Sequence, residues 1–343
     1  MLLWIAILVI LYALSQFYRY NPLIFWSSVI ILILLAGFRD VTMGVDTRSY
    51  KQGMEYVSMG ISPYKEYGWN KLNWFIINHG KDFHMLTLLA SILTIVPVAL
   101  VFVRSSANPQ FSLFVYYAMF AYLNSFNGMR QFIAISFILV AYMFFIEDKK
   151  IWTLIFIFLA YQFHHSAWYS VIVFALPYIK LNKDLYVYLL LIVTLALGCV
   201  FNANIFKTLS FGYSSYVDSS NFGYRDSFLW GFILSLLMNG LFVYMYIKTE
   251  ASRRNSLIFK IFFLSILINN TTFRLVLGAR LILYFTIIQT LLFPRYFNYR
   301  YQYTRWIILT YLTVLFLKIL NSSGGFVGGV YPYKSVISQY IYY

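Results

Sequence analysis

The sequence predicts an all-α, polytopic integral membrane helical bundle of about 12 transmembrane helices, and three observations predict it. Of 343 residues, 61% are hydrophobic and only 11% charged, whereas soluble domains carry about a quarter charged residues. Apolar runs approaching the roughly 20 residues that cross about 30 Å of hydrocarbon as helix recur from one end of the chain to the other. The alternating pattern of a membrane β-barrel is absent.

The first apolar segment starts at Leu2 with no basic stretch before it and no small-residue cleavage site before Tyr20. It therefore reads as an uncleaved anchor. Further candidate crossings cover about 22–38, 84–103, 111–124, 131–146, 151–163, 166–179, 185–201, 229–247, 257–273, 279–293 and 306–320. The piece WNKLNWFIIN, residues 69–78, is too short to span, and its mixed polarity with Trp69 and Trp74 suits a helix at the membrane interface. No soluble domain boundary is visible, so residues 1–343 read as a single transmembrane domain.

Alternating sides puts Arg19, Arg104, EDKK (147–150), IKLNKD (179–184), KTEASRRN (248–255) and PRYFNYRYQYTR (294–305) on one face. These loops are short and mostly basic, which assigns them to the cytoplasm. The opposite face receives the long loops 39–71 and 202–227, NSFNGMR (124–130), the FHHS corner (163–166), NNTTFRL (269–275) and the glycine-rich tail. The 202–227 loop, rich in Ser, Asn, Tyr and Phe, fits either a lid over a sugar site or a solvated connector.

The net charge of +15, from 26 basic and 11 acidic residues, calls for anionic company. For a membrane chain that means lipid headgroups or a phosphorylated substrate before nucleic acid. Cys199 is the only cysteine, so no intramolecular disulfide forms, and no Cys/His spacing resembles a zinc site. GxxxxGK[ST], GxGxxG after a strand, HExxH and GxSxG are all missing, which removes support for ATPases, dinucleotide enzymes, zinc proteases and ordinary lipases. GGFVGG (324–329) shares only its glycines with a nucleotide loop.

The densest mixed-charge stretch, GFRDVTMGVDTRSY (37–50), follows the second apolar run. Arg39, Asp40, Asp46, Arg48 and Tyr50 then lie on the same face as Arg130, His164, His165, Arg274 and Arg280. Charge at the bilayer edge is costly unless paired or facing a cavity, so it defaults to a functional hypothesis. Arginine's planar fork fits phosphate oxygens, and several arginines around one cavity form a pyrophosphate clamp. Each member also has a plainer reading. Arg39 and Asp46 could pair across a turn made by Gly44; Arg130 could snorkel to headgroups; the histidines could cap an interface; Arg274 and Arg280, on similar faces if a helix begins at Phe273, could meet anionic lipid.

Taken in order, GFRDVTMGVDTRSY, EYGWNKLNWFI (66–76), FNGMRQFIAISFILVAY (126–142), LAYQFHHSAWYSVIVF (159–174) and VYPY (330–333) resemble the EpsG family of bacterial polysaccharide polymerases, relatives of the O-antigen polymerase Wzy. The resemblance implies a GT-C-like glycosyltransferase of the bacterial inner membrane that joins polyprenyl-pyrophosphate-linked oligosaccharide repeats by block transfer at the periplasmic face and releases polyprenyl pyrophosphate. It implies lipid-linked donor and acceptor as partners, with membrane lipid, a chain-length regulator and a flippase beside them, and no cofactor. Asp46, in the matching G-x-D position, is the first choice of base, with His165 or His164 next. Arg39, Arg130 and Arg280 are clamp candidates, Arg274 matches no family motif, and Tyr50 and Tyr331 could bind sugar or pyrophosphate. An arginine clamp can replace a divalent ion, so metal-independent transfer is expected. The family position held by one histidine is here a pair. An O-antigen ligase and a lipid-linked oligosaccharide flippase are the competing expectations.

Overall fold

The computed structural model describes residues 1–17, 20–200, 228–296, 302–322 and 329–336. The described residues are helical apart from turns and one isolated antiparallel bridge between Arg39 and Ser335. The 202–227 loop, Arg19 and most of GGFVGG lie outside them. The described chain divides into two compact units, Met1–Trp168 with Thr290–Tyr343, and Tyr169–Gln289.

In the first unit the helices are α1 (Leu2–Phe17), α2 (Pro22–Gly37), α3 (Thr47–Ser58), α4 (Tyr67–Asn78), α5 (Phe83–Ser105), α6 (Pro109–Ala118), α7 (Ala121–Asn124), α8 (Met129–Ile146) and α9 (Lys150–Phe163). Their starts follow from local chemistry. Asn21 and Asn108 each place a side-chain oxygen on the free N–H groups of the first turn and are followed by proline, a residue that has no N–H to leave unsatisfied there. Asp82 caps α5 in the same way. Helix α8 buries 72% of its apolar window and packs between α5 and α9, so it is the central helix of this unit.

Contacts at the helix ends sort the unit into two poles. At one pole Arg104, at the end of α5, holds Glu147, just past α8, at 2.7 Å, and Arg305 reaches Gln16 at the end of α1. At the other pole lie the end of α2, the starts of α5 and α8, the end of α9, and Trp4 near the start of α1. The Trp4 ring is fully buried, packs edge-on to Tyr122, Phe126 and Tyr333, and donates Nε1–H to the Val330 carbonyl at 2.7 Å. Trp4→Phe removes that donor and leaves a buried carbonyl short of a partner, at a cost of about 1–3 kcal/mol. The expected result is a lower melting midpoint in detergent, with Trp4→Ala lower still through the cavity it leaves.

In the second unit the helices are α10 (Asp184–Val200), α11 (Phe228–Lys248), α12 (Leu257–Thr272) and α13 (Val276–Leu281). The IKLNKD and KTEASRRN loops, expected on one face, do meet. Tyr246 and Arg254 both reach the Asp184 carboxylate, at 2.7 and 3.3 Å, and Leu181 N–H donates to Asn255. Amide side chains tie the apolar helices together, with the half-buried Asn239 and the buried Asn270 exchanging hydrogen bonds at 2.6 and 3.0 Å and Asn270 also donating to Thr194. Inside lipid such pairs act as glue between helices. Asn269 and Asn270, expected in a loop, stand in the last turns of α12.

Four described helices are long and apolar enough to cross a membrane: Phe83–Ser105, Met129–Ile146, Leu229–Lys248 and Gln302–Asn321 (α14, Gln302–Ser322 in full). Helices α1, α2, α9, α10 and α12 have 14 to 17 residues, or roughly 21–26 Å at 1.5 Å per residue. Three expected crossings differ more. The 111–124 run breaks at Phe120, whose backbone is left-handed at φ +63 and whose ring is buried on Phe316. The 166–179 run is a 3₁₀ helix, His165–Tyr178, and the 279–293 run is cut into short pieces. The count of full-length crossings among the described residues is thus below the expected twelve. The described structure is a helical membrane protein.

Candidate functional site

The charged turn after α2 is built by its backbone. Gly44 has φ +92, a region closed to most side chains, and a Cβ there would stand 2.6 Å from Thr47 Oγ1 and 2.7 Å from the Phe126 carbonyl oxygen. The turn is stitched to the NG loop before α8: Val45 N–H donates to Asn127 Oδ1 at 2.6 Å, and Thr47 Oγ1 donates to the Met43 and Phe126 carbonyls. From the other side the segment 329–336 lies along it. Gly44 N–H donates to Gly329, Asp40 N–H to Lys334, and Val336 N–H to Phe38, all near 3.0 Å. Motifs almost 300 residues apart in sequence thus form one knot.

Within that knot Arg39 is buried, 2% exposed. Its guanidinium donates to the Ala36 and Phe126 carbonyls and sits 4.8 Å from the centre of the Phe126 ring. Burial lowers it to about 10, partly offset by the hydroxyls of Tyr122, Tyr333 and Tyr50. These carbonyl contacts stand where the sequence also allowed an ion pair with Asp46. For Asp40, burial pushes the carboxyl up, but hydrogen bonds from the Thr42 hydroxyl and N–H at 2.6 and 2.8 Å outweigh it and leave the group below its ordinary value.

Asp46 stands half-buried at the start of α3, and its backbone carbonyl accepts from Tyr50 N–H at 3.0 Å. Tyr50, one turn on, is buried edge-on to Trp69 at 5.4 Å between ring centres. Helix α3 was not foreseen: TRSYKQGMEYVS is too polar for a crossing, but it buries Thr47, Tyr50, Gly53 and Met54 along one face.

Arg130, the second residue of α8, pairs with Glu66 at 2.6 Å, with side-chain exposures of 24% and 10%. Its guanidinium lies 4.6 Å from the Tyr64 ring centre and 5.8 Å from that of Tyr50, a distance at which cation and ring attract. Desolvation pushes the Tyr64 hydroxyl up to about 12, against the pull of Arg130. Glu66 was inside a quoted stretch but unassigned. The available signal was one acid among only 11 in the chain, placed at the start of the WNKLNWF helix.

A single apolar cluster unites these stretches. Tyr50, Trp69 and Met129 are in its core with Ile76, Phe83 and Leu86, and Tyr64 and Phe163 pack against it. Phe163 leads directly into the histidine pair. Helix α4 reaches α9 there because Gly68 has no side chain: a Cβ would lie 2.9 Å from both the Gln162 Cβ and carbonyl oxygen. His164 closes α9 in extended backbone and meets the Ser166 hydroxyl through Nδ1 at 3.0 Å. His165 opens the 3₁₀ helix, stacked on Tyr161 with 4.5 Å between ring centres. The two histidines are therefore not successive residues of one helix.

Arg274 and Arg280 belong to the second unit. Arg274 lies in the turn between α12 and α13 and donates to the Cys199 carbonyl at 3.0 Å, and Arg280 is exposed near the end of α13. The break at Phe273–Leu275 removes the single helix on which they were expected to share a face. Tyr331 is half-buried in the 329–336 segment, between Val330, which takes the Trp4 bond, and Pro332. Among the described residues no three His, Cys, Asp or Glu side chains are grouped to hold a metal ion.

The family model described as the EpsG family matches residues 22–335. The chain belongs to the EpsG family. No curated protein and no solved structure matches it. Membership makes this a membrane protein of polysaccharide synthesis, in a family associated with glycosyltransferase-like polymerases. The EpsG match begins at the first residue of α2 and ends at the residue bridged to Arg39, so the C-terminal end of the family region lies at the charged turn.

Proposed function

We propose that this EpsG-family chain is a polysaccharide polymerase of GT-C type. It transfers a growing glycan from polyprenyl pyrophosphate to the end sugar of another lipid-linked repeat, at the periplasmic face of a bacterial inner membrane and without a metal. The observation that carries this reading is one apolar cluster that holds Tyr50, Trp69 and Met129 with Tyr64 and Phe163 against it, beside the Arg130–Glu66 pair, with Asp46 one turn before Tyr50 and the histidines next to Phe163 in the chain.

The transfer needs a base for the acceptor hydroxyl, positive charge at the leaving diphosphate, and alignment of the two substrates. Asp46 is the proposed base, with His165 or His164 as the alternative. Arg130 is the clamp at this pole, because its guanidinium is partly open and flanked by tyrosines. Arg39 is proposed as the brace that fixes the turn carrying Asp46, since its two terminal nitrogens donate to the Ala36 and Phe126 carbonyls. Arg280 and Arg274 are proposed as phosphate contacts within their own unit, and Tyr50 and Tyr331 as sugar or pyrophosphate contacts. The lipid-linked donor and acceptor are the proposed partners, with a chain-length regulator and a flippase acting beside them.

The test is a polysaccharide gel from a deletion strain complemented with Arg39, Asp46, Arg130 and His165 alanine variants and with Asp46→Asn. The expected result is loss of the ladder with a single repeat still attached. Loss of every repeat points to ligation instead. An unchanged ladder in Asp46→Asn and in both His→Ala variants removes the chemistry from these residues and favours transport.

A further inference from the structure

The pair between Glu66 and Arg130 has the form of an occupied anion site. A carboxylate oxygen and a phosphate oxygen present the same acceptor chemistry to a guanidinium. Glu66 engages one nitrogen, Nη1, at 2.6 Å, while Nε of Arg130 is buried with no hydrogen-bond partner among the described residues. Tyr50 also hydrogen-bonds the side chain, and Arg130 keeps 24% of its side chain exposed, so part of the cation stays open to an incoming anion. The rings of Tyr64 and Tyr50 stand beside the guanidinium, and ring attraction does not depend on which anion occupies the nitrogen edge.

Glu66 also has somewhere to go. It is the residue just before α4, a helix of 12 residues, and a negative charge at a helix start is favoured by the helix dipole. Releasing Arg130 thus leaves the carboxylate beside the positive end of α4. Arg39 offers the contrast: fully buried on carbonyls, it has no exchangeable anion.

From this we infer that Glu66 is the resting counter-ion of Arg130, displaced when a phosphate oxygen of the donor diphosphate takes its place, so that Glu66 sets how readily the site accepts a diphosphate. This rests on reading Arg130 as the clamp. Glu66 is a positioning residue: it keeps the clamp folded and charged while empty, and competes with the incoming phosphate.

The test uses the full chain in phosphatidylcholine nanodiscs and inorganic pyrophosphate as the probe, with affinity read by calorimetry. Glu66→Gln is expected to bind pyrophosphate roughly 2–5-fold more tightly than wild type, the scale of one partly exposed ion pair. Glu55→Gln, which removes an exposed acid on α3, is expected to change nothing. If Glu66→Gln does not fold, Glu66→Asp shortens the reach by one methylene and is expected to tighten binding by less in the same direction. A purely structural pair predicts the opposite, weaker pyrophosphate binding with a lower melting midpoint. Weaker or unchanged binding in the Glu66 variants, or equal tightening in Glu55→Gln, overturns the exchange. If Arg130→Ala weakens binding but Glu66→Gln does not tighten it, only the exchange fails. If Arg130→Ala binds as wild type, the clamp reading fails as well.

Discussion

Arg130→Ala is expected to abolish the polysaccharide ladder, cutting transfer by about 10²–10³-fold, the scale for removing one preorganised donor from a charge-stabilising site. Arg130→Lys is expected to recover little, because an ammonium cannot present the planar fork or sit between Tyr64 and Tyr50 as a guanidinium does. Part of the loss in Arg130→Ala would come from stability, since removing one partner of a buried pair strands the other, at about 3–5 kcal/mol for full burial. Here Arg130 retains 24% exposure, so the lower part of that range applies. The double variant Arg130→Ala with Glu66→Gln separates the two effects: it is expected to regain the melting midpoint but not the ladder. Recovery of both would leave Arg130 with a structural role only.

Gly44→Ala is expected to cost several kcal/mol, and Gly60→Ala about 1 kcal/mol. Both glycines have positive φ, +92 and +80, and both substitutions carry the left-handed backbone penalty of roughly 1–2 kcal/mol. What differs is space. A Cβ at Gly44 meets the Phe126 carbonyl oxygen at 2.7 Å, whereas nothing lies within 4 Å at Gly60. Backbone cannot step aside as a flexible side chain can, so the Gly44 turn must open, and with it the bond from Gly44 N–H to Gly329 at 3.0 Å. Melting in detergent measures the difference. Equal midpoints for the two variants would mean that the knot between the 38–47 turn, the NG loop and the 329–336 strap does not contribute to stability.

The contrast between Arg39 and Arg130 marks how far residue type alone could be read. Both are arginines at helix ends on the same predicted face, and sequence gave both the same clamp role. Packing separates them: one is buried on backbone carbonyls, the other pairs with a carboxylate at a partly open edge. Glu66 stayed unassigned because it lies 64 residues from Arg130, and no local pattern announces a pair that only folding brings together. The setting of the histidine pair is likewise decided by folding, since α9 ends at Phe163 and leaves His164 in extended backbone.

Local chemistry determined much on its own. Apolar runs, Asn and Asp caps and proline at first positions set most helix boundaries to within a few residues, because a helix in lipid must satisfy its backbone within itself. The motif order was likewise enough to place the chain in its family. What the tertiary structure alone decided is which runs stay whole and which charges meet. The left-handed Phe120, the 3₁₀ segment 165–178 and the pieces after Val276 depend on neighbours distant in sequence, and so does the knot that joins the residue-44 turn to the residue-329 strap. Such contacts are set by packing across the chain, where the energy of a break or an ion pair depends on what surrounds it rather than on the residues beside it.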